Sequence, residues 1–169
     1  MPDIIRHLSA REAVIGSILS SAPDLYWRKG GIQMMELTVD ATVENLDTVT
    51  DFVNGQLEQA GCSPKVIMQT DLAVEEIYVN IAHYAYHPKT GKATIRCAVG
   101  GDPLQVVIGF VDEGKPYNPL EKEKPDVTVS AKERQIGGLG VFLAQKMMDD
   151  ISYEFQNGKN ILTICKKFK

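Results

Sequence analysis

The 169-residue sequence holds only three cysteines, a single tryptophan and no excess of positive charge, and each shortage removes a class of protein. Cys62, Cys97 and Cys165 are odd in number, widely spaced and mostly set in apolar patterns. That argues for reduced structural thiols over disulfides or zinc ligands. A net charge of −4 and a pI near 5.4 supply no basic footprint for a phosphate backbone, so neither nucleic acid nor a membrane surface is an expected partner. Apolar runs such as Val106 to Val111 fall far short of the roughly 20 residues that a spanning helix needs. The N-terminus carries no signal-peptide pattern, and a cytoplasmic protein is the expectation. No G-x-x-x-x-G-K-S/T stretch occurs, which excludes a P-loop. A Rossmann fingerprint fails as well, because its third glycine would fall at Leu143 and the preceding Lys132-Glu133-Arg134-Gln135 is too polar for a buried parallel strand.

What is present suits one globular domain: 44% apolar and 24% charged residues are enough to build a core. Residues 1–34 read as an N-terminal extension, with a short helix near 9–20, a break at Ala22-Pro23 and the polar Arg28-Lys29-Gly30-Gly31; Met34-Met35 offers an alternative start. The domain proper is expected over residues 35–169, opening with the strand Glu36-Leu37-Thr38-Val39. Leu46, Val49, Phe52, Val53 and Leu57 follow helical spacing, and Gly61 is a stop signal. Ser63-Pro64 starts a second helix, predicted to run to Tyr86, where His87-Pro88 ends it. Two strands, 93–99 and 104–111, are joined by the turn Gly100-Gly101-Asp102-Pro103. A polar, lysine- and glutamate-rich loop at about 121–136 precedes a helix over 139–148, and the Asn157-Gly158 turn makes a terminal hairpin. Hairpins on one side and helices gathered apart from them indicate an α+β fold, a two-layer sandwich with helices on one face of a mixed, mostly antiparallel sheet.

Three clusters carry the chemistry. Glu76 and Asn80 are four residues apart on the second helix and share a face, with His83, Tyr84 and His87 beyond them. Taken alone, such residues ordinarily solvate the outside of an amphipathic helix. Yet Asn80 is a middling helix former lying between Val79 and Ile81, where a lysine or glutamate would serve helix propensity better. Asp112-Glu113-Gly114 reads first as a turn. A turn does not explain the stiff continuation Lys115-Pro116-Tyr117-Asn118-Pro119. Gly137-Gly138-Leu139-Gly140 is either a hinge or a phosphate loop, since glycines at a helix start let backbone N–H groups approach an anion that the helix dipole favours.

Together, in this order, the stretches from Leu72 to Tyr86, Val111 to Pro119 and Gly137 to Leu143 resemble the ATP site of the GHKL superfamily (the histidine-kinase-like or Bergerat fold), most closely its anti-sigma-factor serine/threonine kinases. The resemblance implies ATP and Mg2+ as cofactors. Asn80 corresponds to the metal ligand, Asp112 to the acceptor for the adenine amino group and Gly114 to the residue that leaves room for the purine. Gly137, Gly138, Leu139 and Gly140 correspond to the phosphate donors and residues 121–136 to the ATP lid. Thr163 matches a residue that supports Asp112 through water, and Glu76 matches the general base. Lys132 and Arg134 are further candidates for phosphate contact. One departure stands out: relatives often have histidine where Tyr84 stands, with His83 one position earlier as its replacement. The implied partners are an anti-anti-sigma (STAS-type) protein that accepts the phosphoryl group and a sigma factor, and such kinases often form homodimers. Two alternatives belong to other classes: a non-catalytic ATP-responsive binding module, and a metal hydrolase built on the i, i+4 pair His83 and His87, which lacks the H-E-x-x-H glutamate.

Overall fold

A computed structural model describes residues 34–121 and 139–168. The predicted helix at 9–20, residues 122–136 of the predicted lid, Gly137 and Gly138 lie outside them. In chain order the elements are β1 (Met34–Asp40), α1 (Leu46–Gln59), α2 (Pro64–Asn80), β2 (Lys92–Gly100), β3 (Gln105–Asp112), α3 (Leu139–Met147), β4 (Asp150–Gln156) and β5 (Lys159–Lys167). The strands lie in the order β1-β2-β3-β5-β4. The sheet expected to be mixed is antiparallel at every described pairing, because β2–β3 and β4–β5 are hairpins and β5 returns reversed along β3.

Local sequence explains each element. At the start of α2 the Ser63 Oγ accepts from the Val66 N–H at 3.4 Å and Pro64 takes the first helical position, where its missing N–H costs nothing. The β4–β5 turn puts Asn157 at φ 53° and Gly158 at φ 76°, the left-handed pair that a two-residue hairpin turn requires. The spacing of α1 delivers Val49, Val53 and Leu57 to one buried stripe, and α2 buries Ala73, Val74, Ile77 and Tyr78. These meet Ile95, Cys97, Ile108, Phe110, Leu162 and Ile164 on the helix-facing side of the sheet in one core. The Tyr78 hydroxyl, whose ring is fully buried, is shared between the Asp40 carbonyl at 3.0 Å and the Thr42 carbonyl at 2.8 Å, which pins α2 to the end of β1. Among the described residues no disulfide joins the three cysteines, and burial pushes the Cys97 thiol up to about 12, so this thiol is protonated at neutral pH.

The second helix departs from its predicted course. Its α-helical part stops at Asn80, and residues Ile81–Ala85 form a π-helical turn. The Ala85 carbonyl accepts from the Lys115 N–H at 2.9 Å, so the end of this turn is tied to the segment after β3. Periodicity does not reveal such an adjustment, because the bond that accompanies it comes from a distant part of the chain.

Leu57→Ala is expected to lower unfolding free energy by about 2–5 kcal/mol, since Leu57 is fully buried and its loss leaves a cavity between α1 and the sheet. Met68→Ala, on the exposed side of α2, is expected to change it by less than about 0.5 kcal/mol. Urea titration followed by circular dichroism measures both.

Candidate functional site

One end of the α2–sheet interface opens into two adjoining depressions. The first, about 400 Å³, is walled mainly by Ile77, Ile81, Tyr117, Val141 and Leu162, with the Asp112 carboxylate as its acidic group. The second is bordered by Glu76, His83, His87, Leu139 and Gly140. Asn80 and Tyr84 line both. The structure therefore brings Glu76, Asn80, His83, Asp112, Leu139 and Gly140 to one place, although they come from three separate stretches of sequence.

Asp112 ends β3 and is only 6% exposed. Burial pushes its carboxyl above the usual carboxylate range, and two donors oppose that shift: the Asn160 amide Nδ2 and the Gly114 N–H, each 2.9 Å from Oδ1. Its other oxygen, Oδ2, has no hydrogen-bond partner among the described residues, and the residue lines the cavity. The site is thus a largely apolar slot with one acceptor oxygen unpaired among the described residues.

The segment after Asp112 is fastened on both sides. Tyr86 accepts the Glu113 N–H at 2.7 Å and donates to the Lys92 carbonyl at 2.6 Å, bridging β2 to the turn. A Cβ at Gly114 would collide with the Ala85 backbone, so glycine is needed for the loop to close on the π-helical turn. The sequence reading gave Gly114 the role of leaving room for the purine; the Cβ position it leaves vacant lies against Ala85. Gly140 is a second close approach, because a Cβ there would overlap the Glu76 carboxylate. The absence of a side chain lets the first turn of α3, with N–H groups that have no partner within the helix, approach the acid on α2.

Thr163 does not reach Asp112. On β5 it alternates with Leu162 and Ile164, which face the helices, and shares the opposite side with Ile161 and Cys165. Its hydroxyl is buried with no hydrogen-bond partner among the described residues. The residue beside Asp112 is Asn160, its register partner on β5. Sequence reading missed Asn160, and its only local signal is a position just after the Asn157-Gly158 turn. Among the described residues no three histidine, cysteine, aspartate or glutamate side chains converge, so a metal-hydrolase site on His83 and His87 has no third ligand there.

Comparison with known proteins fits this geometry. Residues 39–166 match the family described as histidine kinase-like ATPase domain. Over 135 residues the chain is 27% identical to the anti-sigma F factor of Thermoanaerobacter sp. (strain X514), covering 80% of this chain and 93% of that protein. Over 140 residues it is 26% identical to the serine-protein kinase RsbW of Bacillus subtilis (strain 168), covering 79% and 85%. A crystal structure of the RsbU and RsbW domains of a Mycobacterium tuberculosis protein shares the fold with a TM-score of 0.58 at 18% identity, over 80% of this chain and 32% of that longer one. Matched to the family from the end of β1 into β5, this chain belongs to the histidine kinase-like ATPase domain family.

Proposed function

We propose that this chain is an ATP-dependent protein serine/threonine kinase of the anti-sigma-factor type, passing the γ-phosphoryl group to a serine or threonine of an anti-anti-sigma (STAS-type) protein and, in another state, holding a sigma factor. The observation that carries the reading is the position of Asn80 in the wall common to both depressions, with a buried acceptor at one end and a carboxylate against a helix N-terminus at the other. The names of the relatives, an anti-sigma F factor and a serine-protein kinase, support it.

The residues fit the groups this function needs. Apolar walls and the free Asp112 oxygen suit a flat heteroaromatic ring that donates one amino hydrogen bond, as adenine does. The N-terminus of α3 suits phosphate, with Leu139 and Gly140 in its first turn and Gly137 and Gly138 leading into it in the sequence. Asn80 offers a neutral side-chain oxygen of the kind magnesium accepts beside phosphate and water, and His83 borders the same depression. Magnesium bound with ATP would neutralise charge developing on the transferred group. Glu76, one helical turn before Asn80, would take the proton from a partner hydroxyl in this reading. Residues 121–136 serve as the lid in this reading, and the domain spans residues 35–169 behind an extension at 1–34.

Two predictions follow from these roles. Calorimetric titration with ATP is expected to show magnesium-dependent binding that Asn80→Ala makes magnesium-independent and that Asp112→Asn weakens by roughly tenfold or more. Wild-type binding that ignores magnesium would remove Asn80 from its role. Glu76→Gln is expected to leave ATP affinity within about threefold while slowing phosphoryl transfer to a STAS-type substrate by about 100-fold or more, measured by radiolabel incorporation. A non-catalytic, ATP-responsive module would show no transfer to lose.

A further inference from the structure

Asn160 is a buried amide, 6% exposed, and its hydrogen-bonding capacity is filled. Nδ2 donates to Asp112 Oδ1 at 2.9 Å and to the Lys115 carbonyl at 3.0 Å; Oδ1 accepts from the Tyr117 N–H at 3.1 Å and the Tyr153 hydroxyl at 2.6 Å. Two donor hydrogens and two acceptor positions are all an amide has. The neighbours also fix which way it points. Turned over, its NH2 would face the Tyr117 N–H, donor against donor, and its oxygen would face a carboxylate and a carbonyl.

This arrangement has a consequence at Asp112. Oδ1 is held by Asn160 and by the Gly114 N–H, which leaves Oδ2 as the oxygen available to a ligand. We infer that Asn160 is a positioning residue for base recognition: it orients the Asp112 carboxylate and keeps its free oxygen an acceptor, so that the slot selects a base presenting an amino group over one presenting a carbonyl. The inference rests on the proposal that the slot holds the base of ATP. It also ties β4 and the segment after β3 to the acceptor, since the Tyr153 hydroxyl and the Tyr117 N–H both hold this amide.

Ionisable neighbours of Asp112 are Tyr86 and Tyr153, both held above their ordinary range first by burial, Glu113 beside it in the chain, Lys115 in the cavity wall and Glu121 near Tyr153. Burial raises the Asp112 carboxyl and the Asn160 bond lowers it. ATP affinity in the wild type should therefore fall only when acidification protonates Asp112, and Asn160→Ala should move that fall to higher pH. Asn160→Asp is nearly isosteric and gives a sharper contrast. At high pH two adjacent carboxylates repel and the donor to Asp112 is gone; on acidification the pair holds a proton between its oxygens and regains one.

The experiment is titration of the full chain with magnesium-ATP and magnesium-GTP from pH 5.5 to 8.5, for wild type, N160A, N160D and Y153F, each checked for folding by circular dichroism. N160D is expected to bind ATP roughly tenfold or more weakly than wild type at pH 8 and to recover as the pH falls, a slope opposite to that of wild type. N160A is expected to lose most of the preference for ATP over GTP. Y153F, which retains Asn160 but frees its oxygen, should show a smaller loss in the same direction and stands in for N160A should that variant not fold. Wild-type affinity, slope and ATP preference in these variants overturn the inference. A carboxyl carbon-13 titration of Asp112 without nucleotide separates the two claims: an Asp112 pKa that rises in N160A supports the positioning role even if wild type fails to bind ATP, and an unchanged one refutes it.

Discussion

The phase of α2 against the sheet is the constraint on which the rest of the molecule depends. Ala73, Val74, Ile77 and Tyr78 bury one stripe of this helix, and the Tyr78 hydroxyl locks its rotation by bonding to carbonyls at the end of β1. With 3.6 residues per turn, that stripe leaves Glu76 and Asn80 on its flank, facing α3 and the cavity and not the solvent. Rotation by one residue, about 100°, would carry both groups away from Asp112 and Gly140. The apolar core thereby decides where the polar chemistry is placed. For α2, packing and function cannot be separated.

The far end of α2 solves a different problem. A carboxylate at the end of a central strand must stay desolvated enough to recognise a ligand and hydrogen-bonded enough to remain folded. The solution is a ring of neutral donors and acceptors: Asn160 and the Gly114 N–H on the carboxylate, Tyr86 on the Glu113 N–H, and the Ala85 carbonyl on the Lys115 N–H. No cation contacts Asp112 among the described residues, which leaves its charge for the ligand. The exposed Lys159–Glu113 pair at 3.3 Å lies at the rim and contributes little by comparison.

Much of this was legible in the sequence, and what was not has a common physical cause. The Ser63-Pro64 cap, the Asn157-Gly158 turn and the stripe of Val49, Val53 and Leu57 are local signals, and each placed its element correctly. The convergence of Glu76, Asn80, Asp112 and Gly140 came from the order of motifs. The misses depend on strand register and on contacts between distant segments. The family resemblance gave Thr163 the role of supporting Asp112 through water, but strand alternation turns it to the other face, and the β3–β5 register that sets Asn160 opposite Asp112 joins residues 48 apart. The π-helical turn and the role of Gly114 against Ala85 were hidden for the same reason.

The division of labour inside the site also argues against its being a by-product of folding. A buried carboxylate with one oxygen unpaired among the described residues lowers stability, as does a helix glycine where alanine would favour the helix. Hydrophobic packing would be served better by an apolar residue at 112, and helix propensity alone by alanine at 140. Asp112 lines one depression and Gly140 the other, while the stripe of Val74 and Ile77 beneath them, across to Ile108 and Phe110, is apolar and well buried. Stability given up at these points, above a largely apolar core, is the pattern expected of a recognition site built on a scaffold stable enough to carry it.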